Sequence, residues 1–168
     1  RLLAAPLHLD VDFTPKAPIE FQGKTFAAGQ PTRARYEFDS YRLTWLRRFD
    51  SPGPWSFRAG LTAKVRDARI GLASGLRSAE KTNTGFVPLL YGGARYAPGG
   101  RFAVDLDVDG AWAPQGYAVD IALRAEWRLA GKASAFAGYR FLDGGADNDE
   151  VYTFATFHYA TAGVSVRF

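Results

Sequence analysis

A two-residue alternation of apolar and polar side chains constrains this chain more than any other feature. From Arg101 to Trp112, the apolar residues Phe102, Val104, Leu106 and Val108 alternate with alanine and aspartate. Successive side chains of a β-strand point to opposite faces, so this period separates apolar groups from charges. The pattern predicts a strand with one apolar and one polar face.

The alternation recurs eight times along the 168 residues, and no stretch has a competing helical period. The predicted strands cover 7–13, 33–49, 55–76, 86–96, 101–112, 117–128, 133–142 and 151–168. The parity of the second strand breaks near Asp39 and Ser40, which predicts a β-bulge, and that of the third slips near Asp67. Together these strands predict one all-β domain spanning residues 1–168.

The predicted connections alternate in length. Tight turns rich in glycine and proline follow the second, fourth and sixth strands at 51–54, 98–100 and 130–132. Longer polar connections follow the first, third and seventh strands at 14–32, 77–84 and 143–150, while 113–116 is short. An even strand count with short turns at one rim and longer loops at the other is typical of single-chain outer-membrane barrels.

Composition excludes several classes of protein. The chain has no cysteine, which removes disulfide and zinc-thiolate chemistry. Its net charge is +4, but bases and acids interleave without a basic stripe, so nucleic-acid binding is not expected. No apolar run approaches the roughly 18 residues of a membrane helix. The chain starts at Arg1 without methionine, as expected of a mature or trimmed chain.

The polar faces of the predicted strands hold acids and bases in equal number. The nine acids are Asp10, Asp12, Glu37, Asp39, Asp105, Asp107, Asp109, Asp120 and Glu126. The nine bases are Arg33, Arg35, Arg42, Arg58, Lys64, Arg66, Arg124, Arg128 and Arg140. Because buried charges must be paired, this balance predicts a salt-bridged network on one face of the sheet.

Alternation alone does not tell the inside of such a sheet from the outside. A soluble barrel would bury its apolar face, but an eight-stranded ring encloses little more than its own side chains. Several tryptophans, tyrosines and phenylalanines would overfill that interior, although a two-sheet sandwich could hold them. Aromatic residues near the strand ends match the girdles of membrane barrels. The favoured fold class is an all-β, eight-stranded, antiparallel, up-and-down transmembrane β-barrel.

The last predicted strand carries a family resemblance. Val164, Val166 and Phe168 share one face, and the sequence stops on the aromatic residue. This ending resembles the closing strand of OmpA- or OmpX-like bacterial outer-membrane barrels, and 145–152 is similar to predicted outer-membrane proteins of Gram-negative bacteria. The resemblance implies that Val164, Val166 and Phe168 form the assembly signal read by the barrel-assembly machinery. It also implies a bacterial outer-membrane location among lipids and lipopolysaccharide.

Candidates for chemistry are few. His8 lies beside acids but no serine nucleophile can be matched to it, and His158 is followed by Tyr159, not by the His-x-Ser pair of lipid A deacylases. A glycine-rich acidic loop with Asp143, Asp147 and Asp149 is a weak Ca²⁺ candidate whose spacing fails the EF-hand pattern. No catalytic residue, metal site or cofactor is therefore predicted.

The predicted function is non-enzymatic: a structural, interaction or membrane-anchor role in the envelope, with an envelope protein as a possible partner and no nucleic acid. Two alternatives stay open at this point. One is an outer-membrane enzyme that modifies lipid A or phospholipid. The other is a narrow pore, or a module that transports a small apolar ligand.

Overall fold

The structure, a computed structural model, describes residues 1–114, 116–147 and 152–166. All regular secondary structure among them is β-strand, which confirms the all-β class. The strands are β1 (Leu2–Ala5), β2 (His8–Phe13), β3 (Ile19–Phe21), β4 (Lys24–Phe26), β5 (Thr32–Asp50), β6 (Trp55–Ser74), β7 (Arg77–Tyr96), β8 (Phe102–Ala113), β9 (Gly116–Arg128), β10 (Ala133–Asp147) and β11 (Tyr152–Val166). No helix among the described residues is long and apolar enough to cross a membrane.

The main sheet follows the order of the chain. β5 to β11 are successive neighbours in an antiparallel sheet, and both β1 and β2 pair with β5. β3 and β4 form a separate two-stranded sheet. The predicted up-and-down order is thus confirmed. The predicted first strand, 7–13, corresponds to β2, and β1 is an additional short strand that was not predicted.

The β-bulge predicted near Asp39 and Ser40 is wrong. β1 pairs Ala5 with Ser40, and β2 pairs His8 with Glu37, so the register continues one-to-one across the gap between the two short strands. No extra residue is inserted on β5. The odd-numbered side chains of β5 therefore change from charged to apolar along a single face.

The parity slip predicted near Asp67 is also wrong. Along β6 the even-numbered side chains, from Ser56 to Ser74, are all buried or half-buried, without interruption. Ile70 and Leu72 therefore share a side with Arg66, not with the exposed Val65.

The polar segment 77–84 is strand, not loop. β7 begins at Arg77, directly after a tight turn at Gly75 and Leu76 in which Gly75 has a φ of 56°. Glycine adopts this left-handed backbone without steric cost. The connection 14–32 instead contains the β3–β4 hairpin, whose Phe26 is buried. The predicted contrast of loop lengths therefore fails after the third predicted strand, because the connection between β6 and β7 is short.

Closure of the sheet is not seen. The hydrogen-bonded order begins at β1 and ends at β11, and no pairing among the described residues joins these edges. The predicted closed barrel therefore goes beyond what the structure shows.

The chain forms two compact units. Unit 1 comprises Arg1, Thr44–Thr62 and Pro88–Phe168; unit 2 comprises Leu2–Leu43 and Ala63–Val87. β5, β6 and β7 contribute residues to both, and each unit is described by itself below.

Candidate functional site

The buried charged side chains of unit 1 are most concentrated along β8. Asp105, Asp107 and Asp109 are buried, while Phe102 and Leu106 on the opposite side of the same strand are exposed. We call the side of the sheet that carries these aspartates the inner face and the other side the outer face. Polar residues are inside and apolar residues outside, which is the reverse of a soluble sheet.

Asp107 is the centre of the inner face of unit 1. Its carboxylate is only 3 % exposed and accepts a hydrogen bond from the Tyr91 hydroxyl. Arg124 donates to it at 2.6 Å, and the guanidinium groups of Arg1 and Arg58 lie at 3.1 and 3.5 Å. Hydrogen bonds between charged groups are the strongest that proteins form, and this carboxylate has several.

Asp105 forms a second node. Arg58 lies 3.1 Å from one oxygen and Arg95 lies 2.5 Å from the other. Arg95 also reaches Glu126 at 2.7 Å, so a single guanidinium joins two carboxylates. Removing Asp105 would take away a carboxylate that both Arg58 and Arg95 contact.

Two further sets of contacts lie on the inner face. Arg140 binds both carboxylate oxygens of Asp120, at 2.9 and 2.6 Å. Thr62 donates to Asp109 at 2.6 Å and lies 2.9 Å from the Thr44 hydroxyl.

These contacts show that unit 1 is concave on its inner face. Thr62 on β6 touches Asp109 on β8, although β7 lies between the two strands in the sheet. Arg95 on β7 reaches Glu126 on β9 across β8 in the same way. Side chains of non-adjacent strands meet at these distances where the face that bears them curves inward.

In unit 2, further residues of the predicted network form separate ion pairs. Arg33 pairs with Asp12 at 2.8 Å and Arg35 with Asp10 at 3.0 Å, and all four side chains are more than half exposed. The Arg33 and Arg35 positions alternate with Thr32, Ala34 and the other more buried positions of β5. Asp10, Asp12, Arg33 and Arg35 thus lie on the exposed side of their strands, not in a buried network.

Ion pairing also shifts pKa values within these exposed pairs. The hydrogen bond from Arg33 holds the pKa of the Asp12 carboxyl below its usual value, and the same bond raises the pKa of Arg33. The hydrogen bond to Asp10 likewise raises the pKa of Arg35. Glu37, half-buried, lies 3.5 Å from Arg69, which lies equally far from Glu80.

Lys64 and Arg66 occupy the more buried side of β6 in unit 2. The Lys64 ammonium lies 5.5 Å from the centre of the Phe38 ring, and Arg66 donates to the Asn83 side chain at 3.1 Å. The Nε atom of Arg66 is buried with no hydrogen-bond partner among the described residues. Arg128, at the end of β9 in unit 1, is exposed.

The histidines lie apart from these clusters. His8 contacts Asp39 at 3.1 Å on an exposed surface of unit 2. His158 on β11 is exposed, forms a hydrogen bond with the Tyr139 hydroxyl and packs against Phe141. Neither contact supplies an activated nucleophile.

The predicted acidic loop 143–150 is partly strand, because β10 extends to Asp147. The Asp143 carboxylate accepts hydrogen bonds from Tyr117 and Thr156, at 2.8 and 2.6 Å. The side chain of Asp147 and the whole of Asp149 lie outside the described residues. Within the described part of the chain, no group of three or more histidines and acids is placed to hold a metal ion.

The predicted assembly signal is partly described as well. Val164 and Val166 are both exposed on the same side of β11. Phe168 lies outside the described residues.

Sequence reasoning missed several members of the inner face. Tyr91 and Arg95 belong to the fourth predicted strand, where Pro88 and the Gly92-Gly93 pair obscured the alternation. Both residues are odd-numbered, like the buried Leu89, so a strict period of two places all three on the same side of β7. Thr62 belongs to the polar side of the third predicted strand, but it was not counted in the network because a threonine carries no charge.

Comparisons of this chain with models of known protein families, with curated proteins and with solved structures find no match. The functional argument therefore depends on the geometry alone.

Proposed function

We propose that this chain is a β-barrel of the bacterial outer membrane whose salt-bridged interior serves a structural, interaction or anchoring role in the envelope. The observation that carries this proposal is the reversed burial of side chains. Among the described residues, twelve buried side chains are polar or charged and four are hydrophobic, while Trp45 is 77 % and Leu90 71 % exposed.

Exposure of these large hydrophobic side chains to water is unfavourable. The exposed large hydrophobic residues recur on every long strand from β5 to β11. Contiguous apolar patches of more than a few hundred Å² mark interaction with protein or membrane. Lipid around the outer face is the environment that makes this arrangement favourable.

A membrane location also demands closure. In hydrocarbon, the unpaired N–H and C=O groups of a sheet edge would each cost several kcal/mol, so spanning sheets are closed. In the closed barrel that we propose, every strand edge is paired and eight strands form the ring.

Strand length supports the same assignment. A membrane-spanning strand needs about 9 to 11 residues, whereas β5, β6 and β7 have 19, 20 and 20. Their segments in unit 2 carry ion pairs on the exposed side, which suits water or lipopolysaccharide headgroups and not acyl chains. These exposed ion pairs are available to an envelope partner.

The inner face favours a structural role over a conducting one. Asp105, Asp107 and Asp120 are each held by at least one arginine, so the side chains neutralise one another. An eight-stranded interior is just wide enough to be filled by side chains. No cofactor is needed, and the partners are outer-membrane lipids, lipopolysaccharide and, during biogenesis, the barrel-assembly machinery.

Cell fractionation combined with gel mobility tests the proposal. The protein is expressed with a secretion signal in a Gram-negative host, and its detergent extract is run with and without boiling. An outer-membrane location with a mobility shift on boiling is the expected result, because a closed barrel stays folded in cold detergent. A soluble protein without a shift would contradict it.

A further inference from the structure

A small cavity of unit 1 lies where β7 turns into β8. It has a volume of about 180 Å³, and its lining includes Arg95, Arg101, Arg128, Glu126 and Ala103. A water molecule takes about 30 Å³ in the liquid, so the cavity has space for a compact polyatomic ion. Ala103 is buried, and its small side chain leaves the space open.

Two of the lining arginines face one another across adjacent strands. Phe102 pairs with Trp127, and the backbone N–H of Arg128 donates to the Arg101 carbonyl at 2.7 Å, which extends the register by one position. Like charges directly opposite in an antiparallel pair are destabilising. Among the described residues, neither side chain has an ion-pair partner.

The acidic residue of the cavity does not compensate these charges. The Glu126 carboxylate lies 2.7 Å from Arg95, which also holds Asp105. Arg95 is thus matched by two carboxylates, and the guanidinium groups of Arg101 and Arg128 have no acidic partner among the described residues. An anion placed between Arg101 and Arg128 would relieve their repulsion.

We propose that this cavity binds a compact oxyanion, with a phosphate group as the best fit. Guanidinium groups present planar forks of N–H donors that match phosphate oxygens in a bidentate manner. The volume excludes a large ligand body inside the cavity, so the phosphate would be either free inorganic phosphate or the end of a larger molecule.

Phosphate titration of the folded protein tests the site. The protein in a non-ionic detergent is titrated with inorganic phosphate and followed by calorimetry, with heat-dependent gel mobility as the check on folding. The wild type is expected to bind, and the double variant Arg101→Gln, Arg128→Gln to bind at least tenfold more weakly. A wild type that does not bind, or a double variant that binds as well as the wild type, would overturn the proposal.

Two further variants separate the site from general charge effects. Ala103→Leu fills the cavity while keeping every charge, and it is expected to abolish binding. Arg33→Gln, Arg35→Gln removes the same number of charges from the exposed side of unit 2 and is expected to leave binding unchanged. Equal loss in this control would show charge attraction without a site and would overturn the proposal.

A competition experiment identifies the source of the phosphate group. The protein is placed in nanodiscs of phosphatidylcholine alone or with phosphatidic acid, and inorganic phosphate is titrated into each. Weaker binding with phosphatidic acid supports a lipid headgroup as ligand, and equal binding supports free phosphate. Absence of binding in both would overturn the site, whereas the barrel proposal depends on localisation and mobility alone.

Discussion

Asp107 is the residue on which the inner face of unit 1 depends most. It is 3 % exposed and contacts Tyr91, Arg124, Arg1 and Arg58. Its negative charge offsets guanidinium groups that are themselves partly withdrawn from water. The balance of the cluster therefore depends on one carboxylate more than on any single arginine.

Replacing Asp107 with asparagine should destabilise the protein by about 3 to 5 kcal/mol, because the surrounding arginines lose their charge partner in a buried setting. Urea unfolding in lipid vesicles measures the change. Asp50→Asn is the matched control, since Asp50 pairs with Arg48 at 2.6 Å where both side chains are largely exposed. An exposed pair of this kind contributes about 1 kcal/mol or less. Equal effects of the two substitutions would contradict the central role of Asp107.

The exposed pair of Asp12 and Arg33 predicts a response to acid. The pKa of Asp12 is held below its ordinary value in the folded protein. Its stabilising contribution is therefore fully present above the ordinary pKa of aspartate and is lost as the pH falls through the lowered value. Hydrogen exchange of the β2 and β5 amides, measured along an acid series, should show the wild type losing this protection as the pH falls, whereas Asp12→Asn should be less protected already at neutral pH.

The effect should be small and sensitive to salt, because both side chains are more than half exposed. The Asp12→Asn variant should lack the acid-dependent component. An identical pH profile for wild type and variant at low salt would show that the pair contributes nothing to local stability.

At the scale of the elements, close strand contacts depend on two glycines of unit 1. A Cβ atom on Gly60 would lie 2.1 Å from the Trp45 carbonyl oxygen, and one on Gly138 would lie 2.3 Å from the Leu123 oxygen. These neighbours are backbone atoms, so a side chain could be accommodated only if a strand moved. Glycine is required at both positions by space, not by an unusual φ.

Gly60→Ala and Gly138→Ala are each expected to destabilise the protein by about 1 to 3 kcal/mol, the usual cost of overpacking. Gly92→Ala is the control, because a Cβ atom there would meet nothing within 4 Å. Refolding yield into detergent micelles and unfolding in urea measure the differences. Equal behaviour of Gly60→Ala and Gly92→Ala would show that the strands are spaced more loosely than described.

Local alternation was enough to predict the long strands. It failed where the side chains of one face change from charged to apolar along the strand. Along β5 the same face carries Arg35 and then Leu43, which suggested an inserted residue although the register is continuous. Polar residues after Arg77 suggested a loop because a strand exposed to water on one side has no apolar signal on that side. The short β1 was not predicted, and Pro6, which has no backbone N–H to donate, lies in the break between β1 and β2.

The inner network was predictable as a face but not as a set of contacts. Asp105, Asp107 and Asp109 follow from the period of two in β8. Their partners on β6, such as Arg58 and Thr62, depend on the curvature of unit 1, which the sequence does not encode locally. Asp10 and Asp12 were assigned to a buried face although they are exposed, because alternation alone does not tell which face of a strand is buried.

For the whole molecule, the proposal requires lipid against the outer face and a charged, filled interior. The outer positions Val104, Leu106 and Val108 of β8 should contact acyl chains, while Ala103 and the neighbouring aspartates should not. A soluble protein with the same fold would require another protein or a second sheet to cover that apolar face. The two cases differ in what each side of a single strand touches.

Spin labelling along β8 in lipid nanodiscs measures this difference directly, because the chain has no native cysteine. Single cysteine substitutions from Ala103 to Val108 are labelled, and collisions with oxygen and with a water-soluble nickel chelate are recorded. We predict a period of two, with high oxygen and low nickel accessibility at Val104, Leu106 and Val108 and a lower oxygen-to-nickel ratio at the positions between them. Uniform accessibility to nickel along the strand, or the absence of a two-residue period, would contradict a membrane-spanning sheet.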